Sequence, residues 1–146
     1  MSILENIFSL KDQVAIITGG AGLLGQKFAS VLAEAGGRPI IFDIRENGDA
    51  VGEFMKVDVT VKDQVERAVK KIYEKYGRLD VLINNAAMNP VPGVDYNAAQ
   101  FSPYEGYPEE LWQSELSVGL TGALLCTQAA VPHMKKQGSG SIINVS

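Results

Sequence analysis

The stretch Thr18-Gly19-Gly20-Ala21-Gly22-Leu23-Leu24-Gly25 limits what this chain can fold into more than any other part of it. It follows Val14-Ala15-Ile16-Ile17, an apolar, β-branched run that reads as a strand buried on both faces, as in a parallel sheet. It precedes Leu24, Phe28, Val31, Leu32 and Ala35, whose i, i+4, i+7, i+8, i+11 spacing marks one helix face. The segment therefore predicts a strand, a tight glycine turn and a helix. Glycine lets the backbone come close to a ligand, and the first-turn N–H groups of a helix bind anionic groups. A glycine-rich turn alone can also be a turn without a ligand. The strand before it, the helix after it and an acidic residue downstream favour dinucleotide binding.

That acidic residue is Asp43, at the end of Pro39-Ile40-Ile41-Phe42 and 18 residues after Gly25. The spacing is close to the roughly 20 residues expected for a carboxylate that accepts hydrogen bonds from an adenosine ribose. A carboxylate there repels a 2′-phosphate, which predicts NAD in preference to NADP; Arg45, two residues on, softens that preference. The first helix is expected from about Gly22 to Ala35, stopped by Gly36-Gly37.

Phe54 to Val57 reads as a third strand running into Asp58-Val59-Thr60. Thr60 and Asp63 have the spacing of a capping box for a helix with Val65, Ala68, Val69, Ile72 and Tyr76 on its apolar face. Lys62, Glu66, Lys70, Lys71 and Glu74 lie elsewhere on that helix and read as its solvated side, and Gly77 ends it. Asp80 to Ile83 is a fourth strand leading into Asn84-Asn85-Ala86-Ala87. Met88 to Tyr107 is a long segment with three prolines and four aromatics, expected to be irregular and to form a partial lid over the cleft. Asn89, Tyr96 and Asn97 within it point to a polar, sugar-like substrate. One long apolar helix follows from Pro108 to Lys136, with a kink or early stop expected at Pro132. Gly119 and Gly122 inside it signal close packing or a local irregularity. Ile142 to Val145 is a fifth strand.

Alternating strands and helices imply an α/β, doubly wound parallel sheet of Rossmann type, in the order 3-2-1-4-5. The 146 residues fit one domain. A net charge of −4 gives no basic face for nucleic acid, and no apolar run is long enough to span a membrane. The start of the chain lacks the pattern of a signal peptide, and the single cysteine, Cys126, forbids an internal disulfide, so a cytoplasmic setting is expected. With one cysteine and one histidine, His133, no metal site is expected, and both read as packing residues.

Taken together, Thr18-Gly19-x-x-Gly22-x-x-Gly25, Asp58-Val59-Thr60, Asn84-Asn85-Ala86-Ala87, Leu120-Thr121-Gly122 and Ser141-Ile142-Ile143-Asn144-Val145-Ser146 resemble the short-chain dehydrogenase/reductase family. The likeness covers the whole chain in order. It implies an NAD(P)-binding domain that serves hydride transfer between nicotinamide and an alcohol or carbonyl substrate. By the resemblance, Gly19, Gly22 and Leu24 line the pyrophosphate turn and Asp43 meets the adenosine ribose. Asp58 and Val59 border the adenine, and Asn85, Ala86 and Ala87 lie beside the cofactor. It also implies a homo-oligomer formed through the 108–136 helix.

The chain departs from the family pattern in three ways. Its glycine spacing is that of the extended branch, whereas the later motifs are those of the ordinary branch. Gly119 stands where many members carry an asparagine before Leu-Thr-Gly. Ser146 matches the first serine of Asn-x-Ser-Ser, so the second, catalytic serine and the Tyr-x-x-x-Lys pair lie beyond the sequence. The expectation is a cofactor-binding part of a short-chain oxidoreductase, truncated before its catalytic segment, with no catalytic residue of its own and inactive in isolation. The alternative is a non-catalytic dinucleotide-binding module with a sensing or scaffolding role.

Overall fold

A computed structural model describes residues 7–88 and 98–146. The strands are β1 (Val14–Thr18), β2 (Arg38–Asp43), β3 (Glu53–Lys56), β4 (Val81–Asn84) and β5 (Ser141–Asn144). The helices are α1 (Leu23–Glu34), α2 (Lys62–Tyr76), α3 (Glu109–Leu116) and α4 (Gly122–Gln137). The described strands form one sheet in the order β3-β2-β1-β4-β5, with every pairing parallel. Strand ends differ from the sequence reading by a residue or so, and the topology is the expected one.

The sheet separates two cores because successive strand residues point to opposite faces. Val14, Ile16, Ile40, Phe42 and Leu82 pack on one face against Val65, Val69 and Ile72 of α2 and Cys126, Ala130 and Met134 of α4. Ile17, Ile41 and Ile83 pack on the other face against Ala29 of α1, with Phe28 and Leu32 partly buried beside them. A fully buried aliphatic side chain contributes about 1.5–3 kcal/mol, so the isoleucines of β1 and β2 anchor both layers. The charges of α2 do lie outward. They include the i,i+4 pairs Lys62–Glu66 at 3.7 Å and Lys70–Glu74 at 3.8 Å, each worth only about 0.3–0.5 kcal/mol when exposed.

Four local expectations need correction. Thr60 does not cap α2: the helix starts after Val61 with no side-chain cap, and the Thr60 hydroxyl donates to Asp58 Oδ1 at 2.6 Å instead. The 108–136 helix is not continuous α-helix, because a π turn over Ser117–Thr121 separates α3 from α4. Pro132 does not end α4, which runs on to Gln137. Pro132 and Gln128 are both exposed, so the turn from which the proline removes a hydrogen bond lies on the solvent side of α4. Finally, residues 98–107 are not wholly irregular, since they form short 3₁₀ turns at Ala98–Phe101 and Tyr104–Gly106.

The two helix glycines have separate explanations. A Cβ on Gly122 would stand 2.7 Å from Val59 Cγ2, so this glycine sets how closely α4 approaches the loop after β3. Around Gly119, in the π turn, a Cβ would meet nothing within 4 Å. Gly122→Ala should therefore lower stability by about 1–3 kcal/mol through overpacking. Gly119→Ala should leave it unchanged or raise it by up to about 1 kcal/mol. Urea denaturation of both variants checks the contrast, and a neutral Gly122→Ala would contradict the packing assigned to Val59.

Candidate functional site

The parallel sheet brings the ends of β1, β2, β3 and β4 to one edge, and Gly19, Gly22, Leu24, Asp43, Asp58, Val59, Asn85, Ala86 and Ala87 lie at or just beyond those ends. Gly19 follows β1 with a φ of +62°, a conformation that disfavours any side chain. A Cβ there would also lie 2.9 Å from Ala86 Cα, so the turn sits directly against the exit of β4. A methyl group on Gly25 would collide with the Gly19 carbonyl oxygen, so α1 is seated on the turn without room for a side chain. Leu24 lies on the exposed side of α1's first turn. No side chain caps α1, whose N-cap is Gly22, and its first-turn N–H groups are left for an acceptor from outside the helix.

Thr18 ties the turn to β4. Its buried hydroxyl accepts the N–H groups of Asn85 and Ala86, each at 3.0 Å. The Asn85 side-chain amide donates to the carbonyls of Thr18 at 3.1 Å and Gly19 at 3.2 Å. Asn84, one residue earlier, donates to Asn144 Oδ1 at 2.8 Å and Thr127 Oγ1 at 3.3 Å, linking β4 to β5 and α4. Both asparagines thus bond the sheet end, and Ala87 lies exposed beyond them.

Asp43 ends β2, half-buried beside the turn. Its Oδ2 accepts the Ala21 N–H and its Oδ1 the Arg45 N–H, both at 3.1 Å. Asp58 follows β3 and accepts the Thr60 N–H at 2.9 Å, while its own N–H donates to Gln64 Oε1 at 2.9 Å. Val59 is buried against Gly122. Two contributors escaped the sequence reading. Gln26 Nε2 donates to the Ala21 carbonyl at 2.7 Å, and Asn47 Nδ2 donates to the same oxygen at 3.4 Å. Neither belongs to a motif, and both act on a backbone group remote in sequence or a turn away.

Several titratable side chains away from this edge are engaged in other contacts. Tyr107 donates to Glu115 Oε1 at 2.6 Å, which holds its pKa up at about 12 by favouring the protonated phenol. Tyr76 donates to Glu53, the first residue of β3, at the opposite edge of the sheet. Tyr73 stacks on His133 at 4.3 Å. Burial pushes the Cys126 thiol up to about 12 and, with Lys136 nearby, lowers the His133 pKa. Among the described residues no cluster of three or more His, Cys, Asp or Glu side chains could hold a metal, and no helix is long and apolar enough to cross a membrane. Residues 89–97, which include Asn89, Tyr96 and Asn97 and make up the middle of the expected Met88–Tyr107 lid, lie outside the described residues.

The sequence profile of short chain dehydrogenases matches residues 13–146. The chain belongs to the short-chain dehydrogenase/reductase family. It is 38% identical over 148 aligned positions to a 3-oxoacyl-(acyl-carrier-protein) reductase of Thermotoga maritima, covering 94% of this chain and 56% of that protein. It is 29% identical to an NAD-dependent glycerol dehydrogenase of Listeria innocua, over 95% of this chain and 54% of the relative. The ligand-free aldohexose dehydrogenase of Thermoplasma acidophilum superposes with a TM-score of 0.81 at 28% identity, over 94% of this chain and 50% of that one. The chain thus spans about half the length of the relatives it matches.

The Thr18 hydroxyl offers a direct test of how this edge is held. Thr18→Val leaves the Asn85 and Ala86 N–H groups without their acceptor, at about 1–3 kcal/mol for each unsatisfied group. Thr18→Ser keeps the acceptor and should lose far less. Denaturant titration of both variants distinguishes the hydroxyl from mere packing volume.

Proposed function

We propose that residues 1–146 supply the NAD(P)-binding half of an oxidoreductase acting on a small alcohol or carbonyl substrate. The observation that carries this reading is the uncapped start of α1 behind the Gly19–Gly22 turn, with the Asp43 carboxylate beside it, in a chain of this family. The first-turn N–H groups of α1 bind the diphosphate, with Gly19, Gly22 and Leu24 lining the turn. Each Asp43 oxygen accepts one backbone N–H and retains a lone pair for a ribose hydroxyl. Asp58 and Val59 flank the adenine, and Asn85, Ala86 and Ala87 lead towards the nicotinamide end. When bound, the nicotinamide supplies the hydride chemistry; these residues bind and orient it.

NAD is the preferred cofactor in this reading, because a second anion at the ribose 2′ position would face the Asp43 carboxylate. The NAD-dependent glycerol dehydrogenase among the relatives supports that preference. Calorimetric titration should find NAD bound at least tenfold more tightly than NADP, and Asp43→Ala should shrink the ratio. Tighter NADP binding by the unaltered protein would refute the assignment.

Hydride transfer also needs an acid or base with a pKa near neutrality within reach of the substrate oxygen. Tyr107, at about 12, does not meet that need. The isolated 146-residue chain is therefore expected to bind NAD and to form no NADH from a broad alcohol panel. NADH formation abolished by mutating a tyrosine of this chain would overturn the division of labour.

Oligomerisation through the 108–136 segment is part of the same proposal. Trp112, Leu120 and Leu124 are 49%, 67% and 54% exposed and fall four or eight residues apart. Such a stripe suits a second copy of the chain. Sedimentation should show a dimer or larger species that Leu120→Lys weakens, whereas a monomer at micromolar concentration would exclude it.

A further inference from the structure

Three side chains from three different segments converge on Ala21. Asp43, at the end of β2, accepts its N–H at 3.1 Å. Gln26, on α1, donates to its carbonyl oxygen at 2.7 Å. Asn47, in the loop after β2, donates to the same oxygen at 3.4 Å. The peptide group after Ala21 is fixed at its other end as well, since the Gly22 N–H donates to the Gly19 carbonyl at 3.1 Å. Both peptide groups flanking Ala21 are therefore held in one orientation.

This matters because Ala21 lies between Gly20 and Gly22, where the backbone has the freedom to rotate. A peptide that flips exchanges its N–H and C=O ends, and a carbonyl oxygen presented to an anion repels it. We propose that Gln26 is the positioning residue of the phosphate turn. Its side-chain amide, assisted by Asn47, locks the Ala21 carbonyl so that the turn is preset before a dinucleotide diphosphate arrives. Gln26 is suited to this role because its bond is the shortest of the three and it rides on the helix whose N-terminus meets the ligand. Asp43 performs the matching task on the N–H side, so its carboxylate shapes the turn in addition to the ribose role assigned above. Asn47 also anchors its own loop, its Oδ1 accepting the Asp49 N–H at 3.2 Å. The loop that carries Arg45 is thereby tethered to the phosphate turn.

The inference rests on the dinucleotide-binding reading, and the test separates the two. Gln26→Met keeps the length of the side chain and removes the donor; Asn47→Ala is the second variant. NAD and ADP-ribose are titrated into each, and amide hydrogen exchange across Gly19–Gly22 is followed with and without NAD. Gln26→Met should weaken both ligands by the same factor, about three- to tenfold. Exchange in the turn should accelerate in the free protein and return to the unaltered rate at saturating NAD, with the melting temperature unchanged. Asn47→Ala should show the same pattern at smaller amplitude. Unchanged affinity, unchanged exchange of the free turn, or a fall in melting temperature that accounts for the weaker binding would each overturn the proposal. If the unaltered protein binds neither ligand, the dinucleotide reading fails, and the exchange of the free variants still decides whether Gln26 holds the turn.

Discussion

The buried hydroxyl of Thr18 accepts two consecutive backbone N–H groups from the exit of β4, and the geometry of the carboxyl edge follows from that junction. Asn85 and Ala86 follow the last residue of β4, where the sheet's ladder no longer supplies acceptors for their N–H groups. Left buried and unpaired, each would cost more than a typical hydrogen bond contributes. The hydroxyl resolves this for β4 at the point where β1 turns into glycine, so the two strand exits are locked together. The Asn85 amide closes the same junction from the other side by donating to the carbonyls of Thr18 and Gly19. Gly19 then has to accept a left-handed conformation hard against Ala86, and Gly25 has to follow without a side chain.

The fold was largely legible because its central strands, β1 and β2, are written in buried runs rich in β-branched residues. Ile16-Ile17 and Ile40-Ile41 are buried from both sides of the sheet, and no other element absorbs such a run in so few residues. The Gly-rich turn was legible for a related reason, since steric demand leaves glycine as the solution. Gly19, Asp43, Asp58 and Asn85 all fall along one edge, which is what parallel topology does to residues at or just after strand ends.

What sequence reasoning missed or misread depends on competition that spacing does not display. Thr60 and Asp63 have capping-box spacing, but Asp58 lies two residues before Thr60 and takes both its N–H and its hydroxyl. The early stop considered at Pro132 rests on its missing N–H, but Pro132 lies on the exposed side of α4, which runs on to Gln137. Gln26 and Asn47 carry no motif. Their partner is a backbone carbonyl, and a backbone carbonyl has no letter in the sequence.

The π turn at Ser117–Thr121 has a consequence for the surface that the helical segment presents. In an α-helix a step of four residues overshoots one revolution, so a row of residues spaced by four winds steadily round the axis. In a π turn the hydrogen bond spans one residue more, each residue advances less, and the same step falls short. Placed between Leu116 and Leu120, the π turn offsets part of the drift accumulated on either side of it. Trp112, Leu116, Leu120 and Leu124 therefore run more nearly parallel to the axis than an uninterrupted helix would allow. A local irregularity thereby acts as a phase correction, turning a winding row of apolar side chains into a straighter seam.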